Sequence, residues 1–134
     1  MSKTLSISLF AAVVALGAYA LAPVRAQDSS DKAKAPITGV LIDQMCGEKQ
    51  MAKDDPQAAA AKHPKSCAMK ESCAESGFAV ISGKKMYKFD DKGNQLAKDY
   101  LAKSDSKMMV TVDGEVKDDG TMAVTDIKPA PAKG

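Results

Sequence analysis

The alternation of hydrophobic and polar positions after residue 36 predicts a mainly β chain. Five segments rich in β-branched and aromatic residues have the pattern of strands, and they cover residues 37–43, 78–82, 85–90, 107–116 and 121–127. One segment instead has helical spacing, because Leu96, Ala97, Tyr100 and Leu101 recur on one face of a helix over 95–103. Asn94 is in the position expected for its N-cap, after a turn formed by residues 91–93. Short turns at Gly83-Lys84 and residues 118–120 predict two hairpins.

The order β-β-β-α-β-β, with the helix between strands 3 and 4, is that of the OB-fold. We therefore predict a mainly β domain with small helices: an OB-like five-stranded Greek-key barrel. A helical insertion over residues 44–77 separates strands 1 and 2. Within it, Asp55 and Pro56 have the capping pattern of a short helix. A second helical piece is predicted from Pro64 to about Ser76, closed by Gly77.

The N-terminal segment has the composition of a secretory signal peptide. Lys3 precedes an uncharged, mostly apolar run over residues 5–22, and Val24-Arg25-Ala26 offers a cleavage site after Ala26. A retained membrane anchor is the alternative, since the run is at the lower limit for a span. We expect a periplasmic or secreted protein with residues 1–26 as signal peptide and 27–36 as flexible leader. The domain then covers 37–127 and a flexible tail 128–134, with no membrane span after cleavage.

Signal cleavage also changes the charge of the chain. The 134 residues carry 19 Lys or Arg and 17 Asp or Glu, for a formal net charge of +2. Lys3 and Arg25 both belong to the signal segment, so the mature chain has 17 of each sign and no Arg. A neutral chain without guanidinium groups argues against nucleic acid as a partner. We expect a monomer whose partner is a metal or an envelope protein.

The candidate chemistry is concentrated in the insertion, which holds all 3 cysteines and the single histidine. Asp43-x-x-Cys46 is followed by His63, Cys67 and Cys73. Thiolates and an imidazole suit Zn²⁺ or Cu(I), so a first hypothesis is a metal site made by Cys46, His63, Cys67 and Cys73. His63 and Cys67 are spaced as an (i, i+4) ligand pair one helical turn apart. The methionines of the insertion are potential thioether ligands for copper, although Met usually fills gaps in packing.

Two other interpretations of these residues remain open. An exported protein meets an oxidising compartment, where one disulfide among Cys46, Cys67 and Cys73 would leave an odd thiol. Cys46 is the favoured partner in any disulfide, because Cys67 and Cys73 on one helix would be too far apart to bridge. A Cys46–Cys73 bond would contribute roughly 3–4 kcal/mol in the chain-entropy model. The third interpretation, a thiol enzyme with Cys67 activated by His63, has no supporting motif. We therefore expect a non-enzymatic binding module and assign no catalytic residue.

Four short motifs resemble those of small exported, largely uncharacterised bacterial proteins with an OB-like barrel and a Cys/His-containing loop. They are Gly39-Val40-Leu41-Ile42-Asp43-Gln44-Met45-Cys46, the set His63/Cys67/Cys73, Lys85-Met86-Tyr87-Lys88-Phe89, and Val110-Thr111-Val112-Asp113-Gly114-Glu115-Val116. The resemblance covers the whole predicted domain and implies an exported barrel. The fold is also similar to that of small periplasmic copper-binding barrels, which typically place Met, His and Trp ligands on strands. This chain has no Trp, and its one His is in the insertion.

Overall fold

The computed structural model describes residues 36–131, so the predicted signal peptide and nearly all of the leader lie outside the described residues. The elements alternate as the β-branched and capping patterns predict. In chain order they are β1 (Ile37–Asp43), α1 (Gln44–Met51), α2 (Pro56–Ala61), α3 (Lys65–Ala68), α4 (Glu71–Glu75), β2 (Phe78–Ser82), β3 (Lys85–Phe89), α5 (Asp91–Ala102), β4 (Met109–Val116) and β5 (Thr121–Pro129).

The five strands close into a barrel in the order β1-β2-β3-β5-β4. All neighbours are antiparallel except β3 and β5, which pair in parallel through Lys88 with Thr121 and Phe89 with Met122. Strand β1 closes the barrel by pairing with β4 along its first half and with β2 along its second half, with Val40 in both ladders. The OB-like barrel predicted from the element order is confirmed.

Gly39 lies where β1 passes from one ladder to the other. A Cβ at this position would lie 2.2 Å from the backbone oxygen of Ile81 on β2. No side chain fits at that separation, so the close approach of β1 and β2 depends on glycine. The bend that this glycine suggests in the sequence therefore coincides with the closure point of the barrel.

Two apolar clusters fill the domain on opposite sides of β1. The larger one is the barrel interior, where Leu41, Phe78 and Met122 pack with α5. The smaller one joins Val40, Ile42 and Ile81 to Ala60 of α2 and lies beneath the insertion. Since both faces of β1 are covered, its sequence is an almost unbroken apolar run rather than an alternating one. The insertion is thus packed onto the outside of the barrel.

Helix α5 begins earlier than its apolar spacing predicts. Asp90, not Asn94, is the N-cap, and its Oδ1 accepts the backbone N–H of Gly93 at 2.9 Å. The predicted turn over 91–93 is therefore the first turn of the helix. Asn94 does not cap the helix. Its Oδ1 accepts the N–H of Phe78 at 2.7 Å and so connects α5 to β2. Gly93 packs so closely on β5 that a Cβ there would lie 2.7 Å from a Val124 methyl carbon.

The insertion and the strand ends differ from the predicted pattern in three places. An additional helix, α1, follows β1 directly because Asp43 caps it. The helix predicted from Pro64 to Ser76 is two short helices, since Lys70 adopts an extended conformation with ψ 141° and interrupts it. Strand β5 continues two residues beyond Ile127, because Lys128 and Pro129 pair with Thr111 and Val110. In residues 36–131 no helix has the length and apolar character needed to cross a membrane.

Candidate metal centre

Asp43 is a buried carboxylate at the junction between the barrel and the insertion. It is the last residue of β1, pairs with Phe78 of β2, and has 0% of its surface exposed. Its Oδ1 accepts the backbone N–H of Cys46 at 2.9 Å and so caps α1. An N-cap carboxylate satisfies an orphan helix N–H and interacts favourably with the positive end of the helix. This cap places Cys46, three residues later, on the first turn beside the carboxylate.

Cys73 reaches the same point from α4. One carboxylate oxygen of Asp43 and the Sγ atoms of Cys46 and Cys73 all lie within 4.8 Å of one another. Helix α4 is held there by Ser76, whose hydroxyl donates to the Cys73 carbonyl at 2.6 Å and accepts the Met45 N–H at 3.3 Å. Cys73 is only 9% exposed. Two thiols and a carboxylate are therefore brought together by three separate elements in a nearly buried position.

His63 approaches this group from the segment that follows α2. Its Nε2 lies 3.8 Å from Asp43 Oδ2, and its side chain is 10% exposed. Asp43 Oδ2 and His63 Nδ1 are buried and have no hydrogen-bond partner among the described residues. Buried polar atoms are nearly always partnered, and an unpartnered one costs about 1–3 kcal/mol or more when charged. The unpartnered Oδ2 is therefore a candidate ligand atom for an ion, whereas the unpartnered nitrogen of His63 is Nδ1 and not the Nε2 that faces Asp43.

The charges around Cys46 favour a protonated thiol when no metal is present. Burial, followed by the neighbouring Asp43 carboxylate and then by Cys73, raises the Cys46 pKa from 9.0 to about 11. These groups disfavour an isolated thiolate because it would lose solvation and meet a second negative charge. A bound cation would favour the thiolate instead, because its positive charge attracts the sulfur anion and the thiolate is the form that ligates a metal.

The structure brings together part of the predicted ligand set and replaces one member. Cys46 and Cys73 lie with Asp43 in the three-residue group, whereas His63 and Cys67 both lie outside it. His63 approaches Asp43 alone, at 3.8 Å, and Cys67 is on α3. The predicted (i, i+4) pair of His63 and Cys67 does not form on a helix. Pro64 is extended, with ψ 144°, and α3 begins only at Lys65. All three cysteines are free thiols in the structure.

Asp43 is the ligand candidate that the sequence interpretation missed. The signal for it is the Asp-x-x-Cys spacing at the end of a strand, because an N-cap and the residue three positions later face each other on the first helical turn. In the sequence Asp43 simply follows the apolar residues of a strand, and nothing there shows that its side chain is buried. Its burial follows only once the insertion folds back over β1.

Two clefts lie elsewhere on the domain. One, of about 320 Å³, is bordered by Asp113, Glu115 and Thr125 beside the β-bulge between β4 and β5. The other, of about 360 Å³, is bordered by Gln57, Gly83 and Met109 among others. Neither cleft is lined by His63 or Cys67, the pair that the thiol-enzyme interpretation requires. Comparison of the chain with family models, with curated proteins and with solved structures finds no match.

Proposed function

We propose that the protein is a non-enzymatic binding module that holds a transition-metal ion through Asp43, Cys46 and Cys73, with His63 as the fourth ligand. The observation that carries this proposal is the mutual 4.8 Å spacing of one oxygen and two sulfur donors. It is supported by the buried, unpartnered Oδ2 of the same carboxylate. Sulfur, nitrogen and oxygen donors in a set of four are the ligands of tetrahedral metal sites in proteins.

The role of His63 follows from its separation from Asp43. A hydrogen bond between nitrogen and oxygen has a length of about 2.7–3.2 Å, so the 3.8 Å from Nε2 to Oδ2 is too long for one. Two ligand atoms each about 2.0–2.1 Å from a tetrahedral metal are roughly 3.3 Å apart. His63 lies against Asp43 but outside the 4.8 Å group, so its ring has to move closer to the two sulfur atoms to become the fourth ligand.

The burial of the ligands favours a holding role rather than a catalytic one. Asp43, His63 and Cys73 are each at least nine-tenths buried, and Cys46 is partly buried. With His63 bound as well, four protein ligands would leave no open coordination position for a substrate. The ligands come from β1, α1, α4 and the segment after α2. A metal bound by them would clamp the insertion onto the barrel and contribute directly to folding.

Native mass spectrometry of the protein purified without chelators tests this proposal. We expect one Zn or Cu ion per chain, lost in Cys46→Ser and Cys73→Ser. Cys67→Ser is the matched control, because Cys67 belongs to the same insertion and lies outside the ligand group, so the variant should retain the metal. Failure of the wild-type protein to take up either metal under reducing conditions would contradict the proposal, as would equal loss of metal in the control.

A structural disulfide between Cys46 and Cys73 is the second candidate, and it has one observation in its favour. The two Sγ atoms are already within 4.8 Å, and they come from helices that Met45 and Ser76 connect. A bond of about 2.05 Å requires only a modest approach of these atoms. The same mass measurement separates the two candidates, because the disulfide lowers the metal-free mass by two hydrogens and leaves Cys67 as the reactive thiol.

Export is a further part of the proposal and rests on residues 1–26. A positive start, an apolar run and Val24-Arg25-Ala26 support a secretory signal. Fractionation of expressing cells, with the mass of the mature chain, tests this. We expect the chain in the periplasm or medium with Gln27 as its first residue; an intact N-terminus in the cytoplasm would contradict export.

A further inference from the structure

We propose that Asp43 determines which metal the site accepts, making it a site for divalent zinc rather than for Cu(I). This inference rests on the proposed metal-binding function and identifies the ion. It depends on three features of the structure: how Asp43 is held, the charge of the donor set, and the positions of the thioether side chains.

Asp43 presents a hard oxygen donor that cannot easily turn away. Its backbone is within the β1–β2 ladder, and its Oδ1 is engaged by the Cys46 N–H at 2.9 Å. These two restraints leave Oδ2 directed towards His63, with no hydrogen-bond partner among residues 36–131. Cu(I) prefers thiolate and thioether sulfur, whereas Zn²⁺ accepts carboxylate, imidazole and thiolate together. The built-in oxygen therefore favours zinc.

The charge balance points to the same ion. Two thiolates and one carboxylate carry three negative charges, so Zn²⁺ leaves one uncompensated and Cu⁺ leaves two. Because Asp43 has 0% exposure and Cys73 only 9%, the additional charge would lie in a poorly solvated position, which is costly. The carboxylate thus strengthens binding of a divalent ion and penalises a monovalent one.

The methionines of the insertion are engaged in packing or solvent exposure. Met45 is 44% exposed. Met51 packs against the apolar cluster beneath the insertion, and Met69 packs against the barrel core. Met86 of β3 packs under α1, where a Cβ on Gly47 would lie 3.2 Å from its Sδ. Three of these four thioether side chains therefore take part in hydrophobic contacts, the usual role of methionine, and the fourth, Met45, is exposed.

The test compares Zn²⁺ and Cu⁺ binding in the reduced full-length mature protein by competition with a chromophoric chelator for each ion. Asp43→Asn is the informative variant, because Asn is isosteric with Asp and is equally good at an N-cap. We expect its Zn²⁺ affinity to fall more than about 100-fold, since even partners outside the coordination sphere change affinity about 10–100-fold. Cu⁺ affinity, carried by Cys46 and Cys73, should change far less.

Asp55→Asn is the matched control. Asp55 caps α2 in the same way, with its Oδ1 accepting the Ala58 N–H at 3.0 Å, and it is exposed. It should leave both affinities unchanged. Circular dichroism and a cooperative unfolding transition verify that Asp43→Asn is folded, because thiols also bind metals in an unfolded chain. Asp43→Ser, another capping residue, provides a second test.

The outcomes separate this inference from the function on which it rests. Binding of neither ion by the wild-type protein would overturn both. An equal fall in Zn²⁺ and Cu⁺ affinity in Asp43→Asn would overturn the selectivity and leave the metal site in place. Binding of Cu⁺ but not Zn²⁺ by the wild-type protein would also overturn the selectivity. A selective loss of Zn²⁺ would support it.

Discussion

Asp43 and His63 face each other at 3.8 Å across the junction between the barrel and its insertion, and each has a buried polar atom that finds no hydrogen-bond partner within residues 36–131. Asp43 belongs to a barrel strand and is completely buried, whereas His63 belongs to the insertion. Without a cation, the two halves of the domain meet through poorly satisfied polar groups. This contact is therefore where metal binding and stability should be coupled.

The first prediction is that zinc stabilises the fold. A ligand that binds only the native state at about 100 times its Kd adds about 2.7 kcal/mol to the free energy of unfolding. Denaturant unfolding followed by circular dichroism, with and without Zn²⁺ and always under reducing conditions, measures this difference. Cys67→Ser should gain the same stabilisation, and Cys46→Ser little or none. Identical curves for the wild-type protein with and without zinc would contradict the coupling.

The second prediction concerns the bond that joins α5 to the barrel. Asn94→Ala removes the acceptor of the Phe78 N–H and leaves a part-buried donor unpaired. We expect a loss of about 1–3 kcal/mol in the free energy of unfolding. Gln95→Ala is the neighbouring control, since that side chain makes only an exposed bond to Asp99 at 2.9 Å. The expected cost of Gln95→Ala is about 0.2–0.5 kcal/mol. An equal cost for the two variants would show that the Asn94 bond to Phe78 does not stabilise the fold.

The third prediction tests barrel closure at Gly39. In Gly39→Ala the new methyl group would lie 2.2 Å from the Ile81 oxygen, so β1 and β2 must separate. We expect a variant that fails to unfold cooperatively or is recovered mainly as aggregate. Gly83→Ala is the contrast: its φ is +58° but nothing lies within 4 Å of the added carbon. A left-handed residue costs about 1–2 kcal/mol, so Gly83→Ala should fold, and wild-type stability in Gly39→Ala would contradict the closure argument.

The strands of the barrel could be predicted because they depend on local patterns in the sequence. Strand β1 has the predicted bounds, and β2 follows Gly77, whose φ of +86° ends the preceding helical segment. Alternating apolar residues and tight turns act over a few neighbours, so their outcome depends little on the rest of the chain. The predicted start of α5 is wrong because Asp90 and Asn94 are both good N-cap residues. Asp90 caps the helix, since the side chain of Asn94 instead bonds the N–H of Phe78, which is distant in the sequence.

The site was harder to predict because its residues meet only through the tertiary fold. Cys67 has a favourable spacing from His63, but Pro64 is extended and separates them. Asp43 has no neighbour in the sequence that marks it as a ligand except Cys46. Its burial depends on an insertion whose helices have few apolar residues of their own. Spacing within one helix can be inferred from a sequence, whereas the convergence of β1, α1 and α4 on one point cannot.

The fourth prediction concerns the Cys46 thiol in the metal-free, reduced protein. Its pKa of about 11 means that the folded protein holds this proton across the range in which an unperturbed thiol, with a pKa of 9.0, would release it. Alkylation at Cys46, mapped by peptide mass spectrometry, should therefore reach half its maximal rate near pH 11, because the thiolate is the reacting species.

Folding stability should change over the same interval. A group whose pKa is raised in the folded state contributes stability that is complete below its unfolded pKa and is lost as the pH rises through the folded value. We therefore expect the free energy of unfolding of the metal-free protein to decline between about pH 9 and about 11, and to decline less in Cys46→Ala. Half-maximal alkylation near pH 9, or the same pH profile in both proteins, would show that the burial and the Asp43 charge do not act on this thiol. Because both influences oppose a bare thiolate, an incoming metal ion must displace the proton on Cys46 before this residue can bind it.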